Sequence, residues 1–263
     1  DMDQPSIDGI NTWYVSKAAK ELNYKVALSG VGGDELFCGY PSFNQIPKLY
    51  NLLNSVSSIP FSNKIITTSF KLLSDITKKQ KLDYLATYSS SLKDLFYFKR
   101  ALFMPEEIGE FVDRDLLSEG LEKLLLRENK LHIDSFFEEP LSQLGYLESN
   151  YYLCNQLLRD SDWASMSHSI ELRTPLVDAE LLKSIGPHVN QMKGMKGKKM
   201  LADSPEIKLP DAIINKKKTG FSLPINNWLH EAVNSMNQQK NYSNEDSWAR
   251  NWSKALIGQK FDL

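Results

Sequence analysis

Cysteine is scarce: Cys38 and Cys154 are the only two in 263 residues. They suffice for one disulfide but not for a disulfide scaffold, and no CxxC or HExxH spacing suggests zinc. A reducing cytoplasm is the expected compartment. No run of eighteen or more apolar residues occurs, and the first twenty residues are polar and acidic, so neither a membrane-spanning helix nor a signal peptide is expected in these residues. Neither sign of charge is in excess. With 31 basic against 33 acidic residues the net charge is −2, so no global field recruits a nucleic acid and any anion site must be local. Repeats with a period of twenty to fifty residues and low-complexity tracts are missing too, which excludes solenoids and propellers. Also missing are GxxxxGK[ST] and the complete GxGxxG.

What remains is the composition of an ordinary folded protein, 41% hydrophobic and 24% charged, long enough for one large domain or two small ones. The opening string Asp1-Met2-Asp3-Gln4-Pro5 reads as the middle of a loop, so the chain is expected to be a fragment. Ile10, Trp13 or Tyr14, Ala18 and Leu22 follow helical spacing, with Ser6 or Asp8 placed to cap the start. Tyr24 to Leu28 is a short apolar run ending in a glycine-rich turn, as a buried strand feeding a loop would. From Ser42 to about Leu158 apolar residues recur every three or four positions, in blocks broken by Pro47, Pro60, Pro105 and Pro140, which predicts helices. The segment from Asp134 to Leu158, with Phe137, Leu141, Leu144, Leu147 and Tyr151, belongs in the core. Past Gly186 the pattern weakens into surface loop and a short helix near Asp211. The fold class is therefore α/β but predominantly helical. Residues 1–41 form the end of an α/β core and 42–263 its mainly helical remainder.

Three groups of residues suggest chemistry. In Ser29-Gly30-Val31-Gly32-Gly33-Asp34-Glu35, glycines at a strand end let backbone amides approach an anion closely. Two carboxylates directly behind them make sense beside phosphate chiefly if Mg²⁺ bridges the two. A tight left-handed turn before an acidic helix start explains the same residues without a ligand. In Arg159-Asp160-Ser161-Asp162-Trp163, Asp162 is the better candidate for a site acid. Glu171, Arg173 and Asp178 read as ion pairs pinning a helix junction, and Trp163 and Met166 as core. His168 has no second histidine or cysteine at ligand spacing and reads as a packing residue. In Lys216-Lys217-Lys218-Thr219-Gly220-Phe221, a solvated surface accounts for most lysine runs. An adjacent buried phenylalanine, however, would let Lys218 reach a preset point.

Taken in order, SGVGGDELFCGY at 29–40, the stretch from Asp162 through SMSHSIELRTPLVD at 165–178, and KKKTGF at 216–221 resemble the synthetase domain of the asparagine synthetase family. The likeness spans Asp3 to about Trp228. It implies an adenine nucleotide alpha hydrolase-like fold of the ATP pyrophosphatase type. The implied reaction uses ATP and Mg²⁺ to activate a carboxylate, aspartate or a related acid, as an acyl-adenylate. Ammonia derived from glutamine then attacks, giving an amide, AMP and pyrophosphate. By the same resemblance Ser29 and Gly30 line the nucleotide site, Asp34 helps hold Mg²⁺, Asp162 serves the intermediate, and Lys218 steadies the departing pyrophosphate; Gly32 and Gly33 join the nucleotide cradle and Glu35 the metal on the reading of the loop residues themselves. Two positions depart from the family pattern: Val31 stands where glutamate is usual, and Cys38 where glycine is preferred, the latter read as packing. The family's SGGxDS loop and cysteine glutaminase domain do not occur in these residues and are expected upstream of Asp1. The sheet edge and an apolar face are then expected to be exposed, favouring dimerisation or lower stability. The competing expectations are an amidotransferase of the same fold with another acceptor, another adenylating enzyme, and a non-catalytic helical interaction domain.

Overall fold

The computed structural model describes residues 2, 6, 8–57, 80–129, 136–193, 199–216, 223–225, 227–228, 231 and 247–261. The chain enters helix α1 (Asp8–Glu21) and strand β1 (Val26–Leu28), then turns through the glycine loop into the one-turn helix α2 (Gly33–Leu36) and helix α3 (Ser42–Ser57). Helices α4 (Leu92–Arg100), α5 (Pro105–Ile108) and α6 (Arg114–Asn129) follow. Ser91 starts α4 by accepting from Asp94 N at 3.1 Å. Pro105 and Pro140 occupy first-turn positions, where the missing N–H costs nothing. Pro47 is different: it lies inside α3 rather than at a break.

Pro140 opens the longest helical run: α7 (Pro140–Leu147) passes through a π-helical stretch, Glu148–Leu158, into α8 (Arg159–Met166) with helical backbone at both junctions. A tight turn with Ser169 at φ 57° leads to strand β2 (Glu171–Arg173). After a 3₁₀ turn at Pro175–Val177 come α9 (Ala179–Ile185), capped by Asp178, and the short helices α10 (Lys199–Asp203) and α11 (Asp211–Ile214). Helix α12 (Trp248–Phe261) ends the described chain.

Strand β2 pairs with β1 in parallel, Ala27 opposite Leu172, and makes the two-stranded sheet. The reading of 171–178 as a charged helix junction is thereby corrected. Glu171 and Arg173 do pair, at 2.8 Å, but both lie exposed on the strand and pin nothing.

The core lies among α2, α3, α4 and α7, built on Phe43, Ile46, Leu92, Leu95, Phe96, Leu141, Leu144 and Leu147. The helical block from 42 and the core placement of Leu141, Leu144 and Leu147 match the apolar period. Helix α1 does not present the face its apolar residues suggest. It buries Gly9 and Ser16, Gly9 so close to Trp163 that a Cβ would lie 2.4 Å from Cζ2. Tyr14, Ala18 and Leu22 are left exposed, Leu22 by 69%. Met166, expected in the core, is 58% exposed, and Val26 and Leu28 of β1 are exposed as well. Cys38 is buried and Cys154 exposed, and both are free thiols.

Helix α12 ties distant parts together, although the last thirty residues carried no motif. Trp252 Nε1 donates to Ser6 O at 3.0 Å. Arg250 donates to Leu102 O at 2.9 Å and to Glu107 Oε1 at 2.7 Å, with its guanidinium over the Phe103 ring.

Candidate functional site

Strand β1 ends in the glycine loop because Ser29 N continues the ladder, donating to Arg173 O at 2.8 Å. Ser29 Oγ accepts from Val31 N at 3.2 Å, and Gly33 N donates to Gly30 O at 3.2 Å, which closes the turn. Gly32 sits at φ 92° and directly precedes α2. A Cβ there would fall 2.7 Å from Val177 Cγ2 and 3.0 Å from Leu176 O. The loop is thus seated on the 3₁₀ turn after β2, and only glycine meets both the backbone angle and the space. Gly30 is the opposite case: nothing among the described residues lies within 4 Å of its Cβ position. One side of the loop is packed, and the other meets none of the described residues.

Helix α2 places its two acids differently. Asp34 is half-buried. Its carbonyl accepts from Gly39 N at 2.7 Å, and its carboxyl occupies the place a Cβ on residue 39 would take. Glu35, expected beside the metal with Asp34, turns inward: it is 3% exposed and accepts from Tyr40 OH at 2.7 Å through Oε1. Burial above all raises its carboxyl pKa, with the Tyr40 hydrogen bond opposing and the charges of Asp34 and Glu148 adding to the rise.

Behind Tyr40 lies a polar cluster that no sequence motif announces. The Arg100 guanidinium is stacked between the rings of Tyr40 and Tyr152, 4.4 and 3.8 Å from their centroids. Its Nη2 and Nε lie 2.7 and 3.0 Å from Oε2 of Glu148, whose side chain is fully buried. Ser42 Oγ donates to the other oxygen of Glu148 at 2.7 Å. Tyr152 OH donates to Asp8 at 3.0 Å, and Gln156 donates to the same oxygen. Burial pushes both phenols, Tyr40 and Tyr152, well above the usual tyrosine range. The π-helical register from Glu148 turns Tyr152 and Gln156 together toward Asp8.

On α8 the two acids separate. Asp160 is buried, accepts from Ser6 Oγ at 2.5 Å and from Trp163 Nε1 at 3.2 Å, and so holds the entry of α1. Ser6 also accepts from Gly9 N at 2.9 Å, which makes it the cap that the sequence placed at Ser6 or Asp8. Asp162 is exposed, on the opposite side of the helix, and bonds to none of the loop residues among those described. His168 packs edge-on to Trp13. Lys218 lies outside the described residues. Ser29, Gly30, Gly32, Gly33 and Asp34 are brought together; the structure adds Leu176, Val177 and Tyr40, whose roles depend on contacts across the chain. Among the described residues no three His, Cys, Asp or Glu side chains are grouped to hold a metal. None of the helices described is long and apolar enough to cross a membrane.

The sequence profile of the asparagine synthase family matches residues 2–261. Asparagine synthetase [glutamine-hydrolyzing] 1 of Bacillus subtilis (strain 168) is 26% identical over 247 residues, covering 88% of this chain and 36% of that protein. A putative asparagine synthetase [glutamine-hydrolyzing] of Mycobacterium bovis (strain ATCC BAA-935 / AF2122/97) is 22% identical over 241 residues, covering 87% of this chain and 34% of its own. The chain therefore spans about a third of the length of these curated relatives. No solved structure matches it significantly. The profile runs through the glycine loop, its seat on 175–177 and the helix that ends the described chain, and on that span the chain belongs to the asparagine synthase family.

Proposed function

We propose that this chain is the nucleotide-binding and carboxylate-activating part of an ATP-dependent, amide-forming synthetase with an ATP pyrophosphatase type of sheet. In this reading ammonia from glutamine, supplied by a glutaminase domain of the same polypeptide, attacks a carboxylate activated by ATP. The observation that carries it is the two-sided glycine loop: Gly32 is pressed onto Val177 while Gly30 faces open space, next to the half-buried Asp34. Such a loop can admit a phosphate to its backbone amides without meeting a side chain.

Asp34 fits a divalent cation held with phosphate. Mg²⁺ is commonly held by one or two protein carboxylates, its remaining positions filled by phosphate oxygens and water, and it would neutralise charge on the phosphates. A single well-placed acid therefore agrees with the donor set of the described residues. Glu35, facing Tyr40, supports the loop from behind. Asp162 and Lys218 are assigned to the reacting carboxylate and the departing pyrophosphate on the family resemblance. Val31 offers no proton-transferring group where the family resemblance leads one to expect glutamate, so an acceptor other than aspartate is the second reading within the same reaction.

Asp34→Asn in the full-length protein keeps the shape and removes the charge. The Mg²⁺ concentration for half-maximal ATP-dependent AMP formation should rise about tenfold or more, a loss of roughly 1.4 kcal/mol in metal binding. An unchanged Mg²⁺ titration returns Asp34 to a helix-start residue.

A further inference from the structure

Behind α2 lies the buried polar cluster around Arg100. Among the described residues it holds Arg100 and the buried or half-buried acids Glu35, Glu148 and Asp8, none of which the proposed reaction uses. A buried arginine is costly unless its neighbours repay desolvation, and a buried pair is weak evidence for stability alone. Its arrangement here is specific. Both faces of the guanidinium are covered, by Tyr40 and Tyr152, and its edge meets Glu148. Lysine offers no such plane. The only hydroxyl that Tyr40 carries points at Glu35, one residue beyond Asp34. The chain of contacts runs from Glu148 on the long helix, through Arg100 at the end of α4, to Tyr40 and into α2, and it terminates at the glycine loop. Glu35 Oε2 is buried and meets no hydrogen-bond partner among the described residues, so Tyr40 is the hydroxyl that orients this carboxyl.

We propose that Arg100 and Tyr40 are positioning residues for the glycine loop: the stacked Arg100 fixes Tyr40, which through Glu35 holds α2 and hence Asp34 and Gly30 in the geometry that serves phosphate. This rests on the function proposed above. Helix α2 is one turn long, and short isolated helices are marginal. Gly32 on Val177 and the buried Leu36 seat it, and the clamp fixes its rotation from the side that carries Glu35.

The test uses the full-length protein and the variants Tyr40→Phe, which keeps the stack and removes the hydroxyl, and Arg100→Lys, which keeps the charge and removes the stacking plane. Two readouts are combined. In hydrogen exchange, the amides of Leu36, Phe37 and Gly39, which donate to Gly32 O, Gly33 O and Asp34 O, should exchange about fivefold faster or more in Tyr40→Phe. That is the size expected for losing one buried hydrogen bond. Amides of α6 and α12 should be unchanged. In ATP–pyrophosphate exchange, each variant should lose about tenfold or more in kcat with a smaller change in KM for ATP, because geometry rather than contact is lost. The double variant should be no worse than the poorer single one, since both act through one contact. Unchanged loop amides, exchange that rises equally in α6 and α12, or losses that multiply in the double variant would each overturn the clamp. A wild-type protein without ATP–pyrophosphate exchange in the presence of any small carboxylic acid, the co-substrate that exchange requires, refutes the proposed reaction instead, and the amide pattern then decides the clamp by itself.

Discussion

Gly30→Ala and Gly32→Ala place the same methyl group two residues apart in one loop, and the structure assigns them opposite consequences. At Gly32 the added Cβ meets Val177 Cγ2 at 2.7 Å and Leu176 O at 3.0 Å, on a backbone at φ 92°. The conformational strain alone is about 1–3 kcal/mol. Forcing an atom into a packed contact adds about 1–3 kcal/mol. Together they come to roughly 4 kcal/mol, which for a chain of this size lowers the thermal midpoint by about 8–16 °C. At Gly30 the methyl meets nothing among the described residues and the backbone is not left-handed. Stability should hold or rise slightly, by up to about 1 kcal/mol, because the unfolded chain loses freedom. The cost appears in binding: the methyl stands in the approach of a phosphate, and ATP affinity in the full-length protein should fall about tenfold or more, some 1.4 kcal/mol. Thermal unfolding and isothermal titration on both variants separate the two effects. If Gly30→Ala binds ATP as wild type does, Gly30 is not part of a phosphate cradle. If Gly32→Ala melts as wild type does, the left-handed seat on Val177 is not what holds the loop.

Two further outcomes follow from buried groups away from the loop. Asp160→Ala strips the acceptor from Ser6 and Trp163 and should cost about 2–4 kcal/mol in urea unfolding, whereas Asp162→Ala, at an exposed position, should cost under about 0.5 kcal/mol; equal midpoints for the two would refute the assignment of Asp160 as the anchor of α1. Burial lowers the Lys81 ammonium from 10.5 to about 8, with Glu107 opposing and Arg250 and Lys99 reinforcing the shift. Between pH 7 and 9 the folded protein sheds a proton that the unfolded chain still holds, so this group makes stability rise with pH, by about 1 kcal/mol over that window. Lys81→Met should remove that rise, and parallel pH dependence in both proteins would show that Lys81 is not desolvated.

How far the sequence revealed this arrangement depended on whether a residue's partner lies nearby in the chain. The helical period of Leu141, Leu144 and Leu147 is local, and those residues are core. Strand β2 has three residues and becomes a strand by pairing with Val26–Leu28 across more than a hundred positions, which no local pattern encodes. Helix α1 packs through Gly9 and Ser16 because Trp163 needs the room, so its larger side chains mark the wrong face. The loop glycines were readable as a tight left-handed turn before α2, which Gly32 at φ 92° makes, but Glu35 was not readable as an inward residue, since its partner Tyr40 is set by Arg100 and Glu148 from two other helices. Cys38 shows both sides. Its burial agrees with packing, but it adopts φ 52°, a left-handed conformation that favours glycine and that no local pattern announces.

The central claim is that this glycine loop serves ATP-dependent amide formation. Its most direct test is AMP release by the full-length protein given ATP, Mg²⁺, glutamine and a panel of small carboxylic acids that includes aspartate. The account predicts AMP and pyrophosphate in equal amounts, dependent on one acid of the panel and matched by an amide product. ADP and phosphate in place of AMP and pyrophosphate, or no nucleotide turnover with any acid, would contradict it.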